Sequence, residues 1–239
     1  MTGTRPAILP SRRDAWSAAI LGVSLGAASI APDILPEPQA EILTPIVSSG
    51  FGWGMTALAG GFLASSRKSA PMAGIGALTL AAVTYYFLIL TLTSRWRHRS
   101  GNTEASLVGP ASVAEAAGFW LLVAVCGGAI MGYLGYVIRH DSGRALLVSA
   151  GMAFGLLAGE GGYALFHAAF IWVGPVDSFM WAKLQSALVQ LLLCLSVLVA
   201  ALRSGRRHIS WAAFLAVAAA ALVVNIGAWH LIQSVRLTL

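Results

Sequence analysis

The sequence predicts an all-α integral membrane protein, a bundle of about seven transmembrane helices with a cytoplasmic N-terminus and an outside C-terminus. Three observations support this fold class. The chain has 239 residues, 58% hydrophobic and only 10% charged, with a mean hydropathy of +0.79. A soluble domain needs more charge than this to cover its surface. Seven apolar segments are long enough to cross a bilayer, and basic residues cluster between them.

The whole chain, residues 1–239, is interpreted as a single helical transmembrane domain. The predicted helices lie near 14–31, 44–65, 70–94, 111–138, 144–173, 179–203 and 209–233. The first segment follows Arg12 and Arg13 and ends in small residues, as a signal peptide does. Its length and the following Pro32 favour a retained helix. The fourth and fifth segments exceed the roughly 20 residues that span a bilayer, so we expect them to tilt or protrude.

The orientation follows from the distribution of basic residues. With the N-terminus inside, ten of the fifteen Lys and Arg residues fall on the cytoplasmic side and five fall outside. Cytoplasmic loops carry an excess of Lys and Arg, so this count favours a cytoplasmic N-terminus. The run RWRHRS, Arg95 to Ser100, is the exception. It is either an outward basic patch or the sign of a misplaced loop.

Several function classes lose support at this stage. Nucleic acid is not an expected partner, because the basic residues form short clusters beside apolar runs and no stripe. Cys126 and Cys194 have no CxxC or Cys/His spacing. They are therefore interpreted as packing residues, and we expect neither a metal nor a cofactor. The sequence has no phosphate-cradling glycine loop, HExxH, GxSxG or DDxxD motif, so a non-enzyme is favoured over an enzyme.

A weak internal repeat organises the chain. AGGFLASSRK, residues 59–68, aligns with MGYLGYVIRH, residues 131–140, and each runs from a helix end into a basic turn. The predicted plan is one leading helix followed by three helical hairpins that turn on the cytoplasmic side. Transporters often contain such repeats and place their sites at the repeat interface. Any helical membrane protein that grew by duplication has the same pattern, so the repeat supports architecture more than function.

Small residues predict how the helices pack. Gly22 and Gly26, and then Gly128 and Gly132, form small-xxx-small faces. Such faces let two helix backbones approach closely within a membrane. We therefore expect these glycines at helix–helix contacts.

The stretch GLLAGEGGYALFH, Gly155 to His167, places a glutamate inside the fifth segment. At 1.5 Å per residue, Glu160 lies roughly 24 Å from the inner end, in the outer part of a core ~30 Å thick. Tyr163 and His167 follow on the same helix face. A charge at this position costs about 2.5–3.5 kcal/mol by insertion scales. Glu160 is therefore expected to face the bundle and to find a partner.

Side chains from other segments reach the same depth. They are Ser48, Ser49, Trp53, Tyr85, Tyr86, Gln185 and Asn225. The sequence thus predicts an outward-facing polar and partly aromatic cavity around Glu160, which would bind a ligand or a proton. The alternative is that Glu160 is hydrogen-bonded to Asn225 or a tyrosine and only fixes helix register. By the same reasoning His167 could be a simple interfacial histidine and Asn225 a helix–helix contact, while Trp229 and His230 are interpreted as interfacial belt residues.

Parts of the chain resemble a known family. They are FGWGMTALAGGFLASSRKSAPMAGIGALTLAAVTYYF (Phe51 to Phe87), GFWLLVAVCGGAIMGYLGYVIRH (Gly118 to His140) and AGMAFGLLAGEGGY (Ala150 to Tyr163). They resemble an uncharacterised family of bacterial, largely actinobacterial, multi-pass integral membrane proteins with a domain of unknown function. The resemblance implies multi-pass topology in the cell (plasma) membrane. It implies no activity and assigns no functional residue.

Three function classes remain open. The first is binding or transport of a small solute in the cavity, coupled to protonation of Glu160. The second is a structural or accessory subunit, which has a membrane-protein partner and no ligand site. The third is a membrane enzyme acting on a lipid or isoprenoid, which would use a bound cation for which the sequence offers poor ligands. The expected partners are accordingly the lipid bilayer and either a small-molecule ligand or a membrane protein.

Overall fold

The computed structural model describes residues 11–93, 108–175, 177–203 and 210–236. In these ranges the chain forms ten α-helices and no strand, which confirms the all-helical prediction. The helices are α1 (Arg12–Ala28), α2 (Ala31–Ile34), α3 (Glu37–Val47), α4 (Gly50–Leu63), α5 (Ser69–Leu92), α6 (Val108–His140), α7 (Gly143–Leu157), α8 (Gly159–Phe170), α9 (Ser178–Arg203) and α10 (Trp211–Arg236). The basic run Arg95 to Ser100, predicted on the outer side, lies outside the described residues.

Several helices have the length and composition of membrane spans. In the described ranges four stretches qualify, namely Arg12–Ile34, Ser69–Leu92, Gly109–His140 and Trp211–Val235. The bent pair α7 and α8 makes a fifth if it counts as one span. Lipid-facing backbone must satisfy its own hydrogen bonds, and apolar helices do this within one segment. These helices are therefore consistent with a membrane protein.

Two predicted helices are broken. The second, predicted over 44–65, is interrupted at Ser48 and Ser49 between α3 and α4. Ser49 is the N-cap of α4, and its hydroxyl accepts the N–H of Gly52 at 3.4 Å. The fifth, predicted over 144–173, bends by 51° at Ala158, where α7 gives way to α8. Continuous hydropathy conceals both breaks, because apolar residues continue through them.

Polar contacts bring three parts of the chain to one end of the bundle. Asp14, in the first turn of α1, accepts the N–H of Ser65 at 3.1 Å and its hydroxyl at 2.7 Å. Arg67 pairs with Asp141 at 3.5 Å, so the turn after α4 meets the turn after α6. We call this the basic end, after the residues Arg12, Arg13, Arg67, Lys68, Arg139 and Arg144 that lie in or beside these turns.

The helix directions follow from the packing. Gly22 and Gly26 of α1 face Ala77 and Ala81 of α5, so α1 and α5 run in the same direction. Gly74 of α5 meets Gly128 of α6 while Ala70 meets Gly132, so α5 and α6 run in opposite directions. Gly151 of α7 meets Val217 of α10, and Gly159 of α8 meets Asn225 of α10. The pair α7–α8 therefore runs in the same direction as α10. The C-terminal end of α10 therefore lies opposite the basic end.

The predicted glycine packing is confirmed. A Cβ at Gly128 would lie 2.8 Å from the Cα of Ile75, and one at Gly26 would lie 2.7 Å from the Cβ of Thr84. Real Cβ atoms do not approach other heavy atoms so closely, so the α1–α5 and α5–α6 contacts need glycine at these positions.

The two cysteines differ in burial. Cys194 is buried as predicted, but Cys126 is exposed on α6, so its interpretation as a packing residue was wrong.

Candidate functional site

A cavity of about 370 Å³ lies in the half of the bundle away from the basic end. Tyr85 and Tyr86, two turns from the end of α5, line it together with residues of α4, α6, α8 and α10. Its aromatic side chains are Trp53, Tyr85, Tyr86, Trp120 and Trp229. Its polar side chains are Ser29, Ser48, Ser49, Glu160, Asn225 and Gln233. Small-molecule sites in proteins occupy roughly 300–1,000 Å³, so this cavity has room for a small ligand.

The glycines around Glu160 let neighbouring helices approach the break. A Cβ at Gly159 would collide with the side-chain amide of Asn225 on α10. A Cβ at Gly161 would lie 3.0 Å from the carbonyl oxygen of Ala187 on α9, and one at Gly162 would lie 2.9 Å from Leu222 Cδ1 on α10. The motif AGEGGY therefore places Glu160 where α8 is held tightly between α9 and α10.

Asn225 stabilises the break itself. Its Nδ2 donates a hydrogen bond of 2.6 Å to the carbonyl oxygen of Leu156. In an unbroken helix that carbonyl would accept the N–H of Glu160, four residues later. A side chain on α10 thus bonds a carbonyl at the end of α7, where helices lack their normal partners. The alternative in which Glu160 bonds Asn225 or a tyrosine and only fixes helix register stays a prediction, while this hydrogen bond of Asn225 goes to backbone.

The Glu160 carboxylate lies at the start of two helices. Glu160 is the second residue of α8, and its carboxylate accepts the N–H of Gly50, the first residue of α4. A helix N-terminus carries partial positive charge from its aligned peptide dipoles, and a carboxylate there gains about 0.3–1 kcal/mol. The two helix breaks therefore place Glu160 in the first turn of α8 and beside the N-terminal end of α4.

Aromatic rings line the cavity beside this carboxylate. Trp229 and Glu160 both lie against Gly50, since a Cβ built there would be 2.7 Å from Trp229 Cζ2 and 3.1 Å from Glu160 Oε2. The ring of Trp120 lies 6.4 Å from that of Trp229, and Trp53 packs edge-on against Tyr85 at 6.4 Å. The interpretation of Trp229 as a belt residue was wrong, because α10 turns this side chain into the cavity.

The structure brings together four of the seven residues predicted for the site. Glu160, Trp53, Tyr86 and Asn225 line the cavity. Tyr163 and His167 share a face of α8 as predicted, with ring centroids 5.9 Å apart, but neither is among the lining residues. Tyr163 instead packs beside His230, 6.2 Å away.

Gln185 is also outside the site. It is exposed on α9, because the distance along a helix gives depth but not the face on which a residue lies. The polar residue of α9 that does reach the interior is Gln190, which is 3% exposed and packs near Gly161.

Some lining residues were not predicted as site residues. Trp120 and Gln233 gave no signal beyond being polar or aromatic in an apolar helix. Ser48 and Ser49 were expected at the depth of the cavity, and two adjacent serines inside an apolar run also favour a cap and hence a helix start. In the described ranges no three His, Cys, Asp or Glu side chains come together as metal ligands.

Comparison with protein families shows which family the chain belongs to. A family of unknown function (DUF6518) matches residues 7–231. The chain belongs to this family. No curated protein and no solved structure matches the chain. The DUF6518 match covers most of the residues that line the cavity, from Ser29 to Trp229, while Ile232 and Gln233 lie just beyond it.

Proposed function

We propose that this protein binds a small solute in the Glu160 cavity and carries it across the bacterial cell membrane. The observation that supports this most is a carboxylate held at two helix breaks inside a cavity of about 370 Å³. Transporters commonly bind their substrates at the ends of discontinuous helices within the membrane. Ionisable side chains inside membrane spans are costly, and they usually mark a substrate or ion pathway.

The cavity favours this function over a purely structural role for Glu160. A glutamate that only fixed helix register would need a partner but no surrounding space. Protein interiors are close-packed, with few voids larger than a water molecule. Five aromatic side chains around an open volume are therefore better explained by a ligand than by packing.

A second candidate function is that of an accessory subunit, and it is favoured by the surface of α10. Only 11% of the residues in its apolar stretch are buried. The side chains of Val223, Val224 and Leu231 are each at least 66% exposed. Another membrane protein could pack against this face in place of lipid. This candidate predicts that the cavity is empty and that Glu160 is replaceable.

We further propose seven membrane passes, with the N-terminus inside and the C-terminus outside. The passes are α1, α3–α4, α5, α6, α7–α8, α9 and α10. The basic end gathers six Lys and Arg residues, whereas Lys183 lies near the opposite end, at the start of α9. Cytoplasmic loops are enriched in Lys and Arg, which supports a cytoplasmic basic end.

Cysteine labelling tests this topology. In a background of Cys126→Ala and Cys194→Ala, one variant carries Ser142→Cys in the α6–α7 turn and another carries Val173→Cys after α8. Both positions are exposed. In intact bacterial cells a membrane-impermeant maleimide should label only Val173→Cys, and Ser142→Cys should react after permeabilisation. The reverse pattern would invert the orientation, and equal labelling of both would contradict the pass between them.

A steric variant tests the cavity itself. Gly127 of α6 lines the cavity, and a Cβ at this position meets no atom within 4 Å. Gly127→Leu should therefore fill the cavity without displacing a helix. Gly118→Leu is the matched control, because it lies on the same helix, also faces open space and is not among the lining residues.

The measurement is native mass spectrometry of each protein in nanodiscs, followed by extraction of whatever it retains. We expect the wild type and Gly118→Leu to retain a small molecule that Gly127→Leu loses. If Gly127→Leu retains the same molecule, the cavity is not its binding site. If all three proteins are empty and equally stable, the accessory role is favoured and solute binding fails.

A further inference from the structure

We infer that the ligand of the Glu160 cavity is a small organic cation, an ammonium group that carries apolar substituents. This inference rests on the proposed solute-binding function and names its ligand class. Three features of the cavity support it: the sign of its charge, the nature of its walls and its size.

The charge of the cavity has one sign. Among the described residues that line it, Glu160 is acidic and none is Lys, Arg or His. The ends of α4 and α8 stabilise this carboxylate as an anion. Electrostatic interactions strengthen where water is scarce, so an anionic ligand would be repelled and a cationic ligand attracted.

The walls suit an organic cation better than a metal ion. Five aromatic side chains face the cavity, three of them tryptophan. The face of an aromatic ring attracts a cation, most strongly in tryptophan, and rings of this kind recognise quaternary ammonium groups. Hard metal ions such as Ca²⁺ or Mg²⁺ instead need a shell of six or more oxygen ligands, which aromatic walls do not offer.

The aromatic and acidic parts of the cavity are adjacent. Trp229 and Glu160 both contact the same glycine, Gly50, at the start of α4. Leu78, Ile130 and Met131 line the cavity as apolar side chains. An ammonium group beside Glu160 could thus contact Trp229 while its alkyl substituents pack on the apolar wall. The volume of about 370 Å³ limits such a ligand to a small molecule.

Binding of choline tests this assignment, with 3,3-dimethylbutan-1-ol as its neutral isostere. The protein is reconstituted in nanodiscs of phosphatidylglycerol, which have no choline headgroup, and radiolabelled choline binding is measured with the alcohol as competitor. We expect choline to bind and the alcohol to compete at least tenfold more weakly than unlabelled choline. Equal competition by the alcohol would overturn the cationic assignment, because the two molecules differ mainly in charge.

Two variants locate the interaction. Glu160→Gln should weaken choline binding at least tenfold, while its amide oxygen can still accept the Gly50 N–H and keep the fold. The matched control Glu115→Gln changes an exposed glutamate of α6 and should bind as the wild type does. Trp120→Leu should weaken binding severalfold, whereas Trp16→Leu, at a side chain 62% exposed on α1, should not. Wild-type affinity in Glu160→Gln would overturn the proposal.

Two further comparisons distinguish a free cation from a lipid headgroup, and the cation class from solute binding in general. Adding phosphatidylcholine to the nanodiscs should leave choline binding unchanged if the site takes a free solute and should reduce it if the site takes a lipid headgroup. Both results support a cation site. If choline does not bind but Gly127→Leu still loses the retained molecule, the cation class is wrong and solute binding stands. If Gly127→Leu loses nothing, solute binding itself has failed.

Discussion

Replacing Gly61 with valine is expected to destabilise the bundle by about 3 kcal/mol or more, at the upper end of what overpacking costs. Gly61 lies where α4 crosses α6, and a Cβ there would collide with the carbonyl oxygen of Gly132. The colliding atoms belong to the backbone, so no side chain can rotate away and the two helices must separate. Thermal unfolding in nanodiscs measures the effect.

The control for this prediction is Gly118→Val on α6. A Cβ at Gly118 meets nothing within 4 Å, so the same substitution should shift the unfolding midpoint little. If Gly61→Val unfolds at the same temperature as Gly118→Val, the backbones of α4 and α6 are not in contact. The α4–α6 contact would then not position Trp53 relative to Trp120.

Replacing Asp14 with alanine is expected to cost about 2–3 kcal/mol of stability, because hydrogen bonds to charged groups contribute about 1.5–3 kcal/mol. Asp14 is fully buried and accepts two hydrogen bonds from Ser65. It also completes a capping box with Ser11 at the start of α1. Alanine removes all of these acceptors at once, so it loosens both the start of α1 and its attachment to the α4–α5 turn.

Unfolding of Asp14→Ala is compared with that of Glu115→Ala, which removes an exposed carboxylate from α6. Asp14→Asn should fall between the wild type and Asp14→Ala, since it keeps one acceptor oxygen. A midpoint for Asp14→Ala equal to that of Glu115→Ala would mean that the Asp14–Ser65 contact does not stabilise the fold. The gathering of α1 at the basic end would then need another explanation.

The helices were predictable because hydropathy and small-residue spacing are local properties. Each apolar side chain favours a membrane by itself, and Gly22, Gly26, Gly128 and Gly132 mark packing faces whatever helix they meet. The break at Ala158 was not predictable in the same way. Asn225 bonds the carbonyl of Leu156 across 69 positions of sequence, and no window along the chain contains both residues.

The sequence predicted the height of each site residue along its helix, but it did not predict the helix face on which the residue lies. Counting 1.5 Å per residue placed Glu160, Asn225, Tyr86 and Trp53 at one height, and these four line the cavity. The same count also selected Gln185, which the rotation of α9 leaves exposed. It assigned Trp229 to the interface, although the packing of α10 against α7 and α8 turns that ring inward.

The sequence by itself determined that this chain is all-helical, apolar enough for a membrane and carries a glutamate, Glu160, deep inside an apolar segment. Those properties depend on the transfer free energy of each residue and on spacing within one helix. Only the tertiary structure decided that two helices break, that the N-terminal ends of α4 and α8 lie at Glu160 and that five aromatic side chains line the cavity beside it. These features depend on contacts between α4, α6, α8 and α10, and such contacts exist only once the helices have packed.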